Sequence, residues 1–175
     1  RCEFIVEGNN EHVIKEVDAK KLFMKLCKNN WDYAEPGILF WDNIKKHHLM
    51  SEDKEFAYAG VNPCAEEPLP SGGSCLLGSI NLSEFVIQPF GTSATFDINK
   101  FKACVRESVI ALNQVLDEGL DLHPLQEQKI SVDRYRQIGL GVMGIGDMLI
   151  KMNMRYGSDK SIELCKFIAR TMLNE

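Results

Sequence analysis

Residues 62–82 read Asn62-Pro63-Cys64-Ala65-Glu66-Glu67-Pro68-Leu69-Pro70-Ser71-Gly72-Gly73-Ser74-Cys75-Leu76-Leu77-Gly78-Ser79-Ile80-Asn81-Leu82. From Val61 to Gly73 the prolines and the Gly72-Gly73 pair forbid a regular helix. From Ser74 to Phe85 the chain turns apolar over a length that suits a buried strand, with Ile80, Leu82 and Phe85 prominent. A proline-broken loop running into a buried strand is the point from which the rest of the chain is read.

Downstream, Gln88 to Thr95 reads as a loop and Asp97 caps the clearest helix. Ile98, Phe101, Val105, Val109, Leu112 and Leu116 recur every three or four residues as one apolar stripe, and Gly119 is expected to end it. After His123-Pro124 and the segment Asp133 to Arg136, a short strand is predicted at Ile138 to Val142 and a helix at Gly144 to Met152. Ser158 caps a last helix with Ile162, Cys165, Ile168 and Met172 inward. Upstream, Asp18 caps a helix over residues 18–31, and a turn at Glu35-Pro36-Gly37 precedes a polar segment through His48. Strands separated by helices give an α/β fold, although only two or three strands are visible in the pattern. No internal repeat or linker divides it.

The 175 residues amount to one domain, and 45% apolar with 26% charged residues is ordinary for a globular protein. A formal charge of −5 argues against nucleic-acid binding through the phosphate backbone, so DNA and RNA are not expected partners. No apolar run reaches the roughly 18–20 residues that span a bilayer, so no membrane is expected either. The chain opens on Arg1 without a recognisable leader and closes at Glu175 inside a helical pattern, which suggests a piece of a longer protein. Six scattered cysteines without a C-x-x-C fit a reducing, cytoplasmic setting rather than a disulfide scaffold. Cys27, Cys104 and Cys165 fall within helices and read as core thiols, whereas Cys64 and Cys75 lie in the loop between helices.

Gly139-Leu140-Gly141-Val142-Met143-Gly144 matches G-x-G-x-x-G, but its first glycine falls inside the strand rather than after it. A dinucleotide site wants a strand, a tight turn, a helix and then an acid at a strand end. Asp159 and Glu163 lie at the right distance but in a helix cap and a helix. Close packing of strand on helix is the better account of those glycines.

The chemistry is concentrated in Asn62-Pro63-Cys64-Ala65-Glu66. A residue before proline is pushed to extended backbone, and the segment is expected to continue so. Asn62, Cys64 and Glu66 would then share one face at roughly 6–7 Å intervals, an amide, a thiol and a carboxylate in a row. As a nucleophile Cys64 is disfavoured, because the negative charge of Glu66 and Glu67 raises a thiol pKa. As a metal ligand it lacks partners at usable spacing. As a protonated thiol it can give up a hydrogen atom, with Glu66 available as a base. An exposed structural loop remains the alternative.

Asn62-Pro63-Cys64-Ala65-Glu66-Glu67-Pro68-Leu69-Pro70 followed by Gly73-Ser74-Cys75-Leu76-Leu77-Gly78-Ser79-Ile80-Asn81-Leu82 closely resembles the catalytic subunit of ribonucleotide reductase, most of all its adenosylcobalamin-dependent (class II) branch. Glu35-Pro36-Gly37-Ile38-Leu39-Phe40-Trp41-Asp42 is similar to the family's segment before the active-site loop, and Arg136 to Gly144 to a later barrel strand and its helix. The resemblance spans nearly the whole chain. The family often has Gly where Ala65 stands and Gln where Glu67 stands.

The resemblance implies an incomplete central segment, residues 1–175, of a ten-stranded α/β barrel, with a finger loop at about residues 61–73. It implies that Cys64 carries the thiyl radical and takes hydrogen from the ribose 3′ carbon, that Glu66 takes the 3′-hydroxyl proton, and that Asn62 holds the ribose hydroxyls. Cys75 would be one of two redox thiols; the other is not assignable, and Cys2 lies too near the loop in sequence. Adenosylcobalamin would supply the radical by carbon–cobalt homolysis, bound mainly outside this segment. A class I enzyme, fed by a second subunit, is the alternative within the family; a non-catalytic α/β binding domain is the alternative outside it. Implied partners are a ribonucleotide, a thioredoxin-type or C-terminal dithiol, nucleotide effectors and a second copy in a homodimer. The segment alone is expected to be inactive.

Overall fold

The computed structural model describes residues 2–6, 11–48, 50 and 52–175, with side chains from residue 16 onward. The chain divides into two compact units, Arg1–Met50 and Ser51–Glu175.

In the first unit, β1 (Cys2–Val6) and β2 (Glu11–Lys15) pair antiparallel, Cys2 opposite Lys15. The sequence pattern did not suggest this hairpin, and the Cys2 thiol lies outside the described side chains. α1 (Ala19–Tyr33) starts where expected, because the Asp18 carboxylate accepts from the Lys21 N–H at 3.1 Å. It ends at Ala34, whose φ of 57° is left-handed. No residue of α1 is buried, so the stripe through Leu22 and Phe23 stands exposed, and Cys27 is only half-buried. α2 (Trp41–Lys46) is a short helix with Asp42 in its first turn and two lysines in its last.

The second unit begins with β3 (Tyr58–Val61) and β4 (Pro68–Pro70), an antiparallel hairpin with Val61 opposite Pro68. The apolar run expected as one strand from Ser74 to Phe85 is broken in two. β5 covers only Leu77–Asn81; then the Asn81 side chain accepts from the Ser83 N–H and starts a 3-10 turn over Leu82–Phe85. Short strands β6 (Val86–Ile87) and β7 (Thr95–Phe96) flank the following loop. Asp97 caps α3 (Ile98–Leu120), accepting from the Lys100 N–H. The helix passes through Gly119 instead of ending there, since Asp121 takes the capping position in ordinary right-handed geometry.

α4 (Gln126–Tyr135) carries too few apolar positions to show a period; only Ser131 and Val132 are buried. β8 (Gly139–Met143), α5 (Ile145–Lys151) and α6 (Asp159–Asn174) lie close to their predicted places. α6 turns Ser161, Ile168 and Thr171 inward, whereas Ile162, expected on the inner face, is 44% exposed. Cys104 and Cys165 are half-buried rather than deep core.

The organising contact is parallel. β5 and β8 run side by side from Leu77 opposite Gly139 to Asn81 opposite Met143, with α3 and α4 between them in the chain. By the pleat, Gly78, Ile80, Leu140 and Val142 face one way, and Leu77, Ser79, Gly139 and Gly141 face the other. On the first face α3 packs over Gly78, where a Cβ would make ordinary contact with the Leu112 methyls at 3.5–3.6 Å. Ile80, Leu82, Phe85, Phe101, Val105, Met148, Leu149 and Ile168 form the buried core behind it. Phe101 meets Phe85 near-perpendicularly and Phe96 at 65°, centroids 5.4 and 5.5 Å apart. The expected ten-stranded barrel is present as this one β-α-β unit; the described residues form no closed barrel. No helix among them is long and apolar enough to cross a membrane.

Candidate active site

The tip of the β3–β4 hairpin carries Asn62, Cys64 and Glu66, but not in an extended row. The Asn62 carbonyl accepts from the Ala65 N–H at 2.9 Å, which closes a turn around Pro63 and Cys64, and Ala65 takes a φ of 66°. The expectation of alternating residues on one face is therefore wrong. Pro63 does fix its own φ, but that value suits the second position of a turn as well as a strand. Antiparallel pairing of β3 with β4 requires the chain to reverse between Val61 and Pro68, and it reverses here.

The turn brings two of the three groups into contact by another route. Asn62 Nδ2 donates to Glu66 Oε1 at 2.5 Å, while Asn62 Oδ1 accepts from the Glu67 N–H at 3.0 Å. The Asn62 N–H donates to the Glu67 carbonyl at 3.2 Å. Cys64 stands at the outer corner of the turn, exposed and without a disulfide.

Cys75, on the strand-like segment before β5, is also exposed and free. Its thiol donates to Glu67 Oε2. This hydrogen bond first, then loss of hydration and the charges of Glu67 and Glu66, pushes the Cys75 thiol from 9.0 up to about 11. The carboxylate–thiol coupling anticipated at Cys64 is thus made at Cys75, by Glu67. The signal that could have found Glu67 is its proximity, through a hairpin, to a second cysteine eight residues on.

Glu66 and Glu67 border a hollow of about 390 Å³ whose floor is Leu77, Gly78 and Ser79 of β5 with Gly139, Leu140 and Gly141 of β8. The glycines of the G-x-G-x-x-G run now have separate reasons. Gly139 and Gly141 keep the open sheet face bare beneath the carboxylates. Gly144 adopts a φ of 72° at the start of α5, where a Cβ would collide with Asn81 Oδ1. None of this is a phosphate-binding turn: the first two glycines lie within the strand. Behind the site, Arg136 braces the approach to β8 by donating to Asp117 Oδ1 at 2.7 Å and Asn113 Oδ1 at 3.1 Å on α3. No cluster of His, Cys, Asp and Glu able to hold a metal ion occurs among the described residues.

A thiol-bearing hairpin thus lies beside the open face of a parallel β-α-β unit, and thiols and carboxylates are the groups gathered there. The family model described as ribonucleotide reductase, barrel domain, matches residues 4–175. The chain belongs to that family. A vitamin B12-dependent ribonucleoside-diphosphate reductase of Thermoplasma acidophilum is 33% identical over 162 residues, covering 91% of this chain and 20% of that protein. A vitamin B12-dependent ribonucleotide reductase of Streptomyces clavuligerus is 32% identical over 149 residues, covering 84% of this chain and 15% of that protein. A ribonucleoside-diphosphate reductase subunit alpha of Chlamydia pneumoniae is 30% identical over 164 residues, covering 90% and 15%. The chain spans about a fifth or less of the length of these relatives.

Proposed function

We propose that this chain supplies the sugar-handling part of a ribonucleotide reductase, with the β3–β4 hairpin as its finger loop. The observation that carries the reading is the Asn62–Glu66 hydrogen bond on a turn whose outer corner is Cys64, beside a hollow floored by glycine. An amide and a carboxylate fixed to each other are pre-oriented for two adjacent hydroxyls, which is what positioning a ribose demands.

In this reading Cys64 acts as a thiyl radical. Its sulfur takes the hydrogen from the ribose 3′ carbon, an S–H bond forming as the C–H bond breaks and the unpaired electron passing to carbon. Glu66 accepts the 3′-hydroxyl proton while the 2′-hydroxyl, protonated by one of the reducing thiols, leaves as water; after reduction Glu66 hands its proton back to the 3′ oxygen and Cys64 returns its hydrogen to the 3′ carbon, recovering the radical. Asn62 holds the hydroxyls throughout. Reduction consumes two electrons and two protons, given by a pair of thiols that end as a disulfide; Cys75 is one of the pair.

The names of the relatives point to vitamin B12 as the cofactor of the full-length protein, in the form of adenosylcobalamin. The described residues form no seat for it. A hollow of about 390 Å³ lies near the lower end of small-molecule sites and is far smaller than a corrinoid with its nucleotide tail. A second reading, radical supply by a partner subunit, is favoured by the relative named subunit alpha. Ribonucleotide substrate, a dithiol reductant, nucleotide effectors, a homodimer and a cytoplasmic setting belong to the same proposal, as does inactivity of this segment alone.

The test uses the full-length protein. Cys64→Ser abolishes deoxyribonucleotide formation while nucleotide binding persists; retained turnover overturns the reading. Activity restored to the purified protein by adenosylcobalamin alone selects the first radical source, and activity that requires a second subunit selects the other.

A further inference from the structure

Glu67 belongs to none of the roles above, yet it is the most constrained carboxylate at the hairpin tip. Its N–H and its carbonyl are both bound by Asn62, at 3.0 and 3.2 Å. Its side chain is half-buried, and its Oε2 accepts the Cys75 thiol. No ion pair among the described residues engages Glu66 or Glu67, so no cation offsets their charge there. On the other side of Cys75, a hollow of about 310 Å³ is bordered by His123.

We propose that Glu67 is a positioning residue for Cys75: it fixes the direction of the S–H bond and keeps that sulfur protonated, suppressing thiolate chemistry. A thiol reserved in this way is a poor target for electrophiles and stray disulfides, which react with thiolate. It stays available as a donor of hydrogen. What the hydrogen is kept for rests on the reductase reading; the control of protonation does not.

The Glu67 carboxylate at the sulfur, with loss of hydration, pushes the Cys75 thiol up to about 11. Replacing Glu67 by glutamine removes the charge and leaves an amide of the same shape, so the thiol should return toward its ordinary range. A two-unit fall raises the thiolate fraction about a hundredfold near neutral pH, while intrinsic nucleophilicity drops about tenfold. The net expectation is alkylation roughly tenfold faster.

The experiment is a pH series of iodoacetamide labelling on the full-length protein, with Cys75 and Cys64 quantified separately by peptide mass spectrometry. In the unmodified protein the Cys75 rate should still be climbing at pH 10. In Glu67→Gln the curve should move down the pH axis, and the rate at pH 8 should rise about tenfold. Glu67→Asp, which keeps the charge on a shorter arm, should fall between them. Cys64 serves as the internal standard for unfolding. An unmodified Cys75 titrating at 8–9, or identical Cys75 profiles in the three folded proteins, overturns the proposal, and the first of these outcomes needs no variant. Loss of the reductase reading through an active Cys64→Ser protein leaves the labelling result standing, so the two failures are separable.

Discussion

Asn62 and Glu66 are tied side chain to side chain at 2.5 Å, and the same amide accepts the Glu67 N–H through its oxygen. One residue therefore holds the Glu66 carboxylate and the Glu67 backbone, and its two ends can be tested apart. Asn62→Asp keeps an oxygen for the Glu67 N–H but loses the donor to Glu66 and adds a like charge. Asn62→Ala loses both. Hydrogen exchange at the Glu67 amide should stay slow in Asn62→Asp and become fast in Asn62→Ala, with a stability loss of about 1 kcal/mol in the latter. Equal protection in both variants would show that the hairpin backbone, not Asn62, organises the tip.

What could be read from the sequence follows from how local each signal is. The cap at Asp97 and the stripe through Phe101, Val105 and Leu116 are contained within one helix and appear as expected, although Val109, expected in the same stripe, is exposed. The strand at Gly139–Met143 is legible for the same reason. The turn at Pro63-Cys64 was not, because proline's φ suits both a strand and a turn, and the choice is made by β4 pairing back on β3. Likewise α4 lacks a periodic face, and its place is set by contacts with distant segments: Phe56 meets Tyr135 edge to face, centroids 4.9 Å apart, and Gly72 lies against the Glu127 carbonyl. Asn62, Cys64, Glu66 and Cys75 can be singled out as candidates from the sequence alone, whereas the hydrogen bond from Cys75 to Glu67 depends on the hairpin's fold.

Phe101 is wholly buried between Phe85, Phe96 and the parallel pair's covered face. Truncation to alanine removes most of a ring from the centre of the core and leaves a cavity that surrounding aromatic groups fill only in part. The expected loss is about 3–5 kcal/mol, seen as a lowered urea midpoint with an unchanged slope. A loss below about 1 kcal/mol would mean that this core does not govern the unit's stability.

Gly144 occupies a left-handed conformation at the first turn of α5, with Asn81 Oδ1 where a side chain would begin. Gly144→Ala meets strain and a collision together, and it disturbs the cap that Asn81 provides to the 3-10 turn. Destabilisation of about 1–3 kcal/mol is expected. Gly146, open on all sides within α5, is the control: its change to alanine should be neutral or stabilising in the same thermal melt.

Cys75 also leaves a mark on stability. A thiol whose folded-state pKa is raised from 9.0 to about 11 binds its proton more tightly folded than unfolded. Its contribution is complete below pH 9 and disappears as the pH climbs through 11. Other groups titrate in that range, so the informative quantity is the difference between the unmodified protein and Cys75→Ser. The unmodified protein should lose stability relative to the variant between pH 9 and 11, and the two curves should run parallel below pH 8. Parallel curves throughout would contradict the raised thiol.

Gly141 separates the fold from the site. It lies in β8 with ordinary backbone, and a Cβ there would meet only the Gly78 carbonyl and Ser79 Oγ, both at 3.9 Å. Valine is therefore accommodated, and as a β-branched residue in a strand it should leave stability within about 0.5 kcal/mol or raise it. Its methyl groups, however, project into the hollow beneath Glu66 and Glu67. If that hollow receives a ribonucleotide, Gly141→Val in the full-length protein should raise the apparent KM at least tenfold while the thermal melt is unchanged. Unchanged KM with unchanged stability would mean that substrate lies elsewhere and that the bare glycine face serves only packing. A dinucleotide site would give a different pattern, with NAD affinity in the unmodified protein that the valine abolishes; the in-strand position of Gly139 and Gly141 predicts that no such affinity is found.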